Sequence, residues 1–297
     1  MGRDADVDIG IIYTHETHFM TPLVSSLARS GDGLKMRLVL VDNAADGGVA
    51  RWERLFPSTR VIRNERRLGY APNLNKIIQY STARYVLLLN TDMYFDPSEQ
   101  CVARMVRFMD EHPECGVSNC RLFHRDGSDA FPARRFQTLG TILARRLGLR
   151  RLMPQLIDSY LYLDHRRDAV LDCDWLSGCF LMVRREALKE VGAFDCSFRM
   201  YFEDVDLCLR MALAGWRVMY NGQTYAYHFE QRASRQVFSR AAWLHLQSYV
   251  RWLAKWGFVP DQHVVTKPRC TPSPQGQLAR ESSHEQPGLA LLRPSGP

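Results

Sequence analysis

The sequence predicts an α/β fold built around a mostly parallel β-sheet with helices on both faces. In the first part of the chain, short apolar runs alternate with amphipathic segments, which is the β-α-β-α pattern of a parallel sheet. The run at residues 85–89, YVLLL, has no polar alternation, as is typical of a strand that is buried on both faces. These runs end in polar residues, and open α/β sheets bind their ligands at the carboxyl ends of the strands.

The first part of the chain contains four predicted strands and the helices that connect them. The strands are residues 7–13, 36–41, 59–63 and 85–89. The helices are residues 21 to about 29, residues 49–56, and residues 73–80 after a turn at residues 69–72. We place the start of the first helix at Thr21 because Pro22 suits the first helical position.

The rest of the chain is predicted to mix further strands and helices. A helix at 98–110 should begin after Asp96 as the N-cap, with Pro97 at the first helical position and Glu99 three residues after the cap. The strand that follows, residues 115–123, should end in a tight hairpin turn at Asp126 and Gly127. The remaining elements are a strand at 173–183 with a bend at 177–178, a helix at 185–191, and a second helix that continues through residues 207–213. Strands at 217–220 and 224–227 and a long helix at 239–256 follow.

Charge and composition limit the classes of partner and location. The 297-residue chain has a formal net charge of +7 and a sequence pI of about 9.1, which favours anionic partners such as nucleotides, phosphates or acidic lipid surfaces. This balance does not by itself predict a nucleic-acid-binding protein, and we expect no nucleic-acid partner. There is no N-terminal apolar leader and no apolar run long enough to span a bilayer, so we expect a cytoplasmic protein.

The eight cysteines form no Cys-x-x-Cys pair, so they are expected to be reduced thiols without a zinc site. We expect residues 1–260 to form the folded domain. Residues 261–297, rich in Pro, Ser, Arg, Gln and Glu, should form a disordered tail.

A basic segment runs from Phe131 to Ile157 and contains six arginines and no acidic residue. Four of its apolar side chains fall at helical spacing: Leu139, Ile142, Leu143 and Leu147. One interpretation is an amphipathic helix that lies on an anionic membrane. The other is a solvated arginine face above an ordinary core stripe, and the pattern alone does not decide between them.

Polar residues follow each of the four early strands. They are Thr14 with Glu16, Asp42 with Asn43, Asn64 with Glu65, and Asn90 with Asp92. Any one of them is explained by the preference of Asp and Asn for turns. Because the topology places all four ends on one edge of the sheet, the set favours a site in which carboxylates and amides bind a nucleotide, and Asp92 is a candidate metal ligand.

Four stretches of the chain resemble glycosyltransferase family 2, and within it the bacterial rhamnosyltransferase-like branch. They are LVDNAADG at 40–47, NERRLGYAPNLNKII at 64–78, YVLLLNTDMYFDP at 85–97, and the long stretch from DWLSGCFLMV to ALAGWRV at 174–218. The resemblance covers about residues 7–256. It implies a GT-A fold, with a nucleotide-sugar-binding half at about 1–97 and a smaller acceptor-side half at about 98–260. It also implies a nucleoside-diphosphate sugar donor, Mg²⁺ or Mn²⁺, and an inverting transfer.

The same resemblance assigns roles to individual residues. Asp92 matches the last aspartate of the metal-binding Asp-x-Asp signature, whose first position is Asn90 here, and His228 matches a histidine that completes the metal site. Asp204 matches the general base of a paired acidic motif with Glu203. The donor contacts are matched by Thr14, Glu16, Asp42 and Asn64, the turn and helix start beside the donor by Gly69 and Asn73, and the acceptor-side loop by Trp175 and Gly178. The first loop, Tyr-Thr-His-Glu, departs from the family's commoner version. The resemblance therefore does not define which residues contact the nucleobase of the donor.

The predicted reaction is transfer of a sugar such as rhamnose or another deoxyhexose to a glycan or a lipid-linked acceptor. Two alternatives remain at this stage. A nucleotidyltransferase would share the parallel sheet, but no Gly-rich triphosphate loop with Arg or Lys follows the first strand. A non-catalytic binding protein on the same fold is less consistent with the intact Asp92, Asp204 and His228. If the basic segment binds lipid, the protein should lie at the inner face of the cell membrane.

Overall fold

The computed structural model describes residues 5–56, 58–229 and 240–257. Its strands are β1 Val7–Tyr13, β2 Met36–Asp42, β3 Thr59–Arg63, β4 Tyr85–Leu89, β5 Met93–Tyr94, β6 Cys115–Phe123, β7 Ala133–Arg134, β8 Val170–Asp172, β9 Trp175–Leu176, β10 Phe180–Arg184 and β11 Arg217–His228. Its helices are α1 Thr17–Leu27, α2 Ala50–Glu53, α3 Tyr70–Tyr80, α4 Cys101–Glu111, α5 Leu139–Arg146, α6 Pro154–Tyr160, α7 Arg185–Val191, α8 Glu203–Leu213 and α9 Arg240–Trp256, with a short 3₁₀ helix, η1, at Leu149–Arg151.

One large sheet organises the chain, in the order β3-β2-β1-β4-β10-β6-β11-β5, with β8 added beside β11. The strands β3, β2, β1 and β4 are parallel, so their carboxyl ends meet at one edge. The strand β10 runs antiparallel between β4 and β6, and β6 is parallel to β11. The predicted α/β class and its mostly parallel sheet are therefore confirmed.

Two hydrophobic cores cover the two faces of this sheet. Along β4, Val86 and Leu88 pack into one core, while Tyr85, Leu87 and Leu89 pack into the other. All five side chains are at most 3% exposed. This explains the uninterrupted apolar run, because a strand between two helical layers has no face left for polar side chains.

Three predicted helix starts were wrong, each for a local reason. The helix α1 begins at Thr17, and Pro22 lies inside it instead of opening it. The helix α3 begins at Tyr70, because Gly69 takes the N-cap position and the region expected to be a turn is the first helical turn. The helix α4 begins at Cys101, since Gln100 has a left-handed backbone (φ 53°) that separates it from the preceding turn.

The acceptor-side half also departs from the predicted elements. The strand predicted at 173–183 is broken at Ser177 and Gly178 into β9 and β10, which belong to different sheets because β9 pairs with β7. The two strands predicted near 217–227 are one strand, β11, with a register irregularity between Asn221 and Tyr225. The basic segment folds into α5, η1 and α6 and not into one long helix.

Other expectations hold or lie outside the described ranges. Gly127 has φ 79° in the predicted turn after β6, and α8 ends before Gly215, which has φ 83°. Among the helices of the described ranges, none combines the length and the hydropathy that a membrane span requires. The tail predicted at 261–297 lies outside the described residues.

Candidate active site

The polar residues that follow β1 and β2 hold their own loops in place. Asp42 is the last residue of β2, and its buried carboxylate accepts the N–H groups of Ala45 and Gly47, both at 3.0 Å. Glu16 turns back and accepts the N–H of Thr14 at 2.9 Å. These carboxylates thereby shape the loops at the sheet edge where a donor nucleotide was predicted.

A buried amide network links the ends of β2 and β3 to the start of α3. The Asn64 side chain donates to Asn43 at 3.0 Å and to Asn73 at 2.7 Å, and it accepts Lys76 Nζ at 2.7 Å. Asn73 in turn donates to the carbonyl oxygen of Gly69 at 2.9 Å. The structure thus brings Asn64 and Asn73 together, and their amides fix the loop at residues 65–69 and are not aimed into open space.

Asp92 and His228 meet at the same sheet edge. Because β5 pairs with β11 in antiparallel register, His228 lies opposite Met93, and its Nε2 is 3.3 Å from the Asp92 Oδ1. The N–H of Phe229 donates to the Asp92 carbonyl oxygen at 2.8 Å and locks this register. Burial lowers the pKa of His228, but the neighbouring Cys179 and Asp92 outweigh burial and raise it to about 11.

The Asp92–His228 pair fits a divalent cation. Two adjacent ligands at about 2.1 Å from an octahedral ion lie about 3 Å apart, close to the observed separation, and oxygen with imidazole nitrogen suits Mn²⁺ or Mg²⁺. In the described part of the chain, no group of three or more His, Cys, Asp or Glu side chains could hold a metal. Such an ion would therefore take its other ligands from outside this pair, as phosphate oxygens of a nucleotide or as water.

Tyr70 joins the Asp92 loop to the predicted acceptor-side loop. Its hydroxyl donates to Asn90 Oδ1 at 2.9 Å and lies 3.5 Å from the carbonyl oxygen of Gly178. The backbone N–H of Asn90 donates to the carbonyl oxygen of Cys179 at 3.0 Å. Burial, together with nearby carboxylates and a thiol, raises the pKa of Tyr70 well above its ordinary value, so its hydroxyl keeps its proton. Residues about ninety positions apart in the sequence therefore form one site.

Asp204 lies in the first turn of α8, against the acceptor-side loop. Its Oδ2 accepts the N–H of Gly178 and its Oδ1 accepts the N–H of Val205, both at 2.9 Å. Burial raises the pKa of Asp204, while these two N–H groups and the guanidinium of Arg134 oppose the rise. The side chain remains half-buried, so it is a partly desolvated carboxylate of increased basicity that keeps some exposure to solvent.

Glu203 lies beside Asp204 but is buried, at 5% exposure. Its Oε2 has no hydrogen-bond partner among the residues that the structure describes. Burial and the adjacent Asp204 raise the pKa of Glu203 to about 8, so it is mostly protonated at neutral pH. The two residues before it, Tyr201 and Phe202, both have φ 69°, and a left-handed backbone at two large residues stores strain next to the acidic pair.

Trp175 is a buried residue that packs beside the acceptor-side loop. It is 4% exposed, and its Nε1 donates to the carbonyl oxygen of Arg135 at 2.7 Å. The guanidinium of Arg134 lies over its ring, 5.0 Å from the centroid. Trp175 therefore orients Arg134, whose charge acts on Asp204, while its ring offers little surface to an acceptor.

Four residues of this site were not predicted from the sequence to belong to it: Lys76, Tyr70, Cys179 and Arg134. Two of them had a visible signal, because Tyr70 follows the glycine that begins α3 and Arg134 belongs to the acid-free basic segment. Cys179 had none, since its place beside His228 depends on the distant pairing of β10 with β4.

Comparisons with known proteins identify the family of this chain. Residues 8–192 match the family described as Glycosyl transferase family 2. Rhamnosyltransferase WbbL of Escherichia coli is 29% identical over 197 residues, which cover 63% of this chain and 70% of that protein. The N-acetylglucosaminyl-diphospho-decaprenol L-rhamnosyltransferase of Mycobacterium tuberculosis is 26% identical over 244 residues, covering 76% of this chain and 75% of that protein.

Solved structures share the fold. The mannosyltransferase PcManGT from Pyrobaculum calidifontis, in complex with GDP-Man and Mn²⁺, superposes with a TM-score of 0.60 at 17% identity, covering 86% of this chain and 66% of that one. GalNAc-T7 with UDP, GalNAc and Mn²⁺ superposes with a TM-score of 0.54 at 13% identity, covering 85% of this chain and 49% of that one. At these identities the likeness establishes the GT-A fold alone.

Proposed function

Since this chain belongs to glycosyl transferase family 2, we propose that it transfers a deoxyhexose such as rhamnose from a nucleoside-diphosphate sugar to an acceptor hydroxyl, with inversion at the anomeric carbon. The relatives that act on rhamnose motivate the choice of sugar. Inversion follows from the chemistry of one direct displacement, which needs a base but no protein nucleophile.

The observation that carries the proposal is the link between Asp204 and the Asp92 loop. Asp204 accepts the N–H of Gly178, and the carbonyl oxygen of Gly178 lies 3.5 Å from the Tyr70 hydroxyl that also bonds to Asn90. A basic carboxylate and a candidate metal pair therefore lie on loops that contact each other, and we propose that they border one space. An acceptor hydroxyl and a donor diphosphate have to meet in such a space.

On the donor side, we propose that Asp92 and His228 hold Mn²⁺ or Mg²⁺. When bound, the ion would supply positive charge that stabilises the diphosphate as it leaves. The loops fixed by Thr14, Glu16 and Asp42 would hold the nucleoside. The loop fixed by Asn64 and Asn73, which begins α3 at Gly69, would lie beside the phosphates, with Lys76 close behind it. The nearby Asn90 would orient the sugar together with Tyr70.

On the acceptor side, Asp204 takes the proton from the attacking hydroxyl. The N–H groups of Gly178 and Val205 each hold one oxygen of the carboxylate, so its orientation is fixed before the acceptor arrives. Its raised pKa makes it a stronger base than an exposed aspartate, which favours proton transfer in the transition state. Glu203 carries a proton at neutral pH and does not compete as a base.

The proposed acceptor is a glycan or a lipid-linked sugar. One relative is named for N-acetylglucosaminyl-diphospho-decaprenol, so a saccharide on a lipid diphosphate is the first acceptor to test. The hydroxyl would enter beside Gly178, since that loop carries the contact to Asp204.

A donor screen tests the proposal. A nucleoside-diphosphate rhamnose at about a hundred times its dissociation constant should stabilise the protein by about 2.7 kcal/mol, and only when Mn²⁺ or Mg²⁺ is present. For a protein of this size the melting temperature should rise by roughly 4–5 °C. GDP-mannose and UDP-N-acetylglucosamine serve as donor controls. A nucleoside triphosphate with a sugar 1-phosphate tests for a nucleotidyltransferase, and turnover of that pair without sugar transfer would contradict the proposal.

A further inference from the structure

The hairpin formed by α5, η1 and α6 presents an unusual apolar surface to solvent. Its exposed large side chains are Leu139 at 57%, Leu143 at 58%, Leu147 at 59%, Leu152 at 78% and Met153 at 44% exposure. The first three recur every four residues and form one stripe along α5 and the residue that follows it. Scattered exposed leucines are common on protein surfaces, but five large apolar side chains within fifteen residues form a patch of the kind that marks an interaction site.

The hairpin is nevertheless packed against the rest of the protein. The side of α5 away from the leucine stripe is anchored by Thr141 and Ala144, at 3% and 1% exposure, and the helix is capped by the Thr138 hydroxyl, which accepts the N–H of Thr141. From α6, Ile157 and Tyr160 are buried at 4% and 2%. The apolar stripe is therefore held outward by the packing of its opposite face.

The charges of the hairpin complement an anionic surface. The sequence places arginines at 145, 146, 150 and 151, between and beside the exposed leucines, and has no acidic residue from Phe131 to Ile157. Leucines flanked by arginines suit the boundary between acyl chains and phosphate headgroups, where both groups are satisfied. A second copy of this chain would offer no such complementary charge, because the hairpin would face another hairpin with four arginines.

The hairpin is tied directly to the acceptor-side loop. The strand β7 leads into it and pairs with β9, so that Arg134 lies opposite Trp175. The N–H of Phe136 donates to the Asp174 carboxylate at 2.8 Å, and the N–H of Ser177 donates to the carbonyl oxygen of Pro132 at 2.9 Å. A surface that binds the hairpin would therefore also fix the position of the acceptor-side loop. In that loop, Gly178 follows Ser177 and contacts Asp204.

We propose that the α5–α6 hairpin docks on an anionic phospholipid bilayer, with its leucines among the acyl chain ends and its arginines at the phosphates. This binding does not depend on the proposed transfer reaction, and it would place the acceptor-side loop at the surface where a lipid-linked acceptor resides. The hairpin lies on the membrane and does not cross it.

Vesicle sedimentation with the full chain tests the proposal. The wild-type protein should sediment at low salt with vesicles of phosphatidylcholine and phosphatidylglycerol, and much less with phosphatidylcholine alone or at high salt. The double substitution Leu143→Gln and Leu147→Gln should lower the partition coefficient by at least roughly ten-fold. Charge reversal by Arg145→Glu with Arg146→Glu should lower it by about ten-fold or more.

Matched controls exist elsewhere on the surface. On α9, Leu246 and Val250 are 46% and 57% exposed, so Leu246→Gln with Val250→Gln removes similar apolar area at a site outside the basic segment, and binding should be retained. The exposed Arg107 and Lys189 give the control for net charge, as Arg107→Glu with Lys189→Glu, which should change binding much less. Melting temperatures of all variants check that they fold.

Three results would overturn the proposal. The first is no binding of the wild type to anionic vesicles at low salt. The second is an equal loss of binding in the α9 and α5 variants. The third is a wild-type dimer, seen by light scattering, that the α5 substitutions dissociate while vesicles bind neither form. Failure of donor binding in any of these proteins would bear on the proposed reaction and not on this surface.

Discussion

Replacing Gly178 by alanine should impair catalysis by moving Asp204. A Cβ at position 178 would lie 3.2 Å from Asp204 Oδ2, closer than side chains ordinarily approach, and 3.4 Å from Asp204 Cβ. Gly178 is not among the glycines with positive φ, so alanine is compatible with its backbone. The added methyl group therefore acts on the carboxylate and not on the chain conformation.

The size of the effect follows from these distances. The carboxylate has to move by a few tenths of an ångström, which lengthens its 2.9 Å bond to the N–H of Gly178 and turns it away from the acceptor hydroxyl. Displacement of a catalytic group by up to about 1 Å costs on the order of 10²-fold. We expect kcat to fall roughly 10- to 100-fold, or about 1.4–2.7 kcal/mol, and stability to fall by about 1 kcal/mol.

Turnover and donor titration in a double-mutant cycle with Asp204→Asn test this reasoning. If Gly178→Ala acts through the carboxylate, most of its effect on kcat should disappear in the Asp204→Asn background, while the affinity for the nucleoside diphosphate stays within about two-fold in all four proteins. An unchanged kcat in Gly178→Ala would refute the argument. So would additive losses in the double variant.

Two further predictions concern the acidic residues of the site. Asp92→Asn should abolish the Mn²⁺-dependent part of nucleoside diphosphate binding, seen by calorimetric titration with and without the ion; full turnover with unchanged Mn²⁺ dependence would make Asp92 a turn residue only. Because the pKa of Glu203 is raised, the folded protein keeps a proton that the unfolded chain loses. The contribution of Glu203 to the free energy of unfolding is therefore full below about pH 4.5. It decreases by roughly 3–5 kcal/mol as the pH rises through about 8. In scanning calorimetry the melting temperature of Glu203→Gln should fall less than that of the wild type between about pH 5 and about pH 8; parallel curves would contradict the buried, protonated state.

The strands of the donor half could be predicted from the sequence because burial on both faces leaves a strong pattern. The run at residues 85–89 is apolar throughout, and its side chains divide between the two cores. The polar residues after these strands could be placed on one edge by topology alone. Asn43 indeed bonds to Asn64 and Thr14, and the N–H of Asn64 donates to the carbonyl oxygen of Asp42.

The broken strand in the acceptor half could not be predicted, because an apolar pattern does not record which sheet a residue joins. Leu176 and Phe180 are both fully buried, yet β9 pairs with β7 while β10 inserts between β4 and β6. The helix starts failed for a related reason, since Gly69 and Pro22 are compatible with a turn, a cap or a helix. Tertiary packing decides which of these three conformations each residue adopts.

The contact between the donor half and the acceptor half could not be predicted from the sequence pattern either. Tyr70 contacts Asn90 and Gly178 because β10 pairs with β4, and this pairing connects segments that are about ninety residues apart. The resemblance to a known family pointed to Asp92 and Asp204 as functional residues. It did not indicate the phenol that lies between their loops.

The most direct test of Asp204 as the base is the Asp204→Asn variant, measured for turnover and for nucleoside diphosphate binding in parallel. The substitution keeps the shape of the side chain and removes its basicity. We predict that kcat falls by about two to four orders of magnitude, roughly 3–5 kcal/mol, while calorimetric titration of the diphosphate with Mn²⁺ is nearly unchanged. An undiminished kcat, or a parallel loss of turnover and diphosphate binding, would contradict the role of Asp204 as the base.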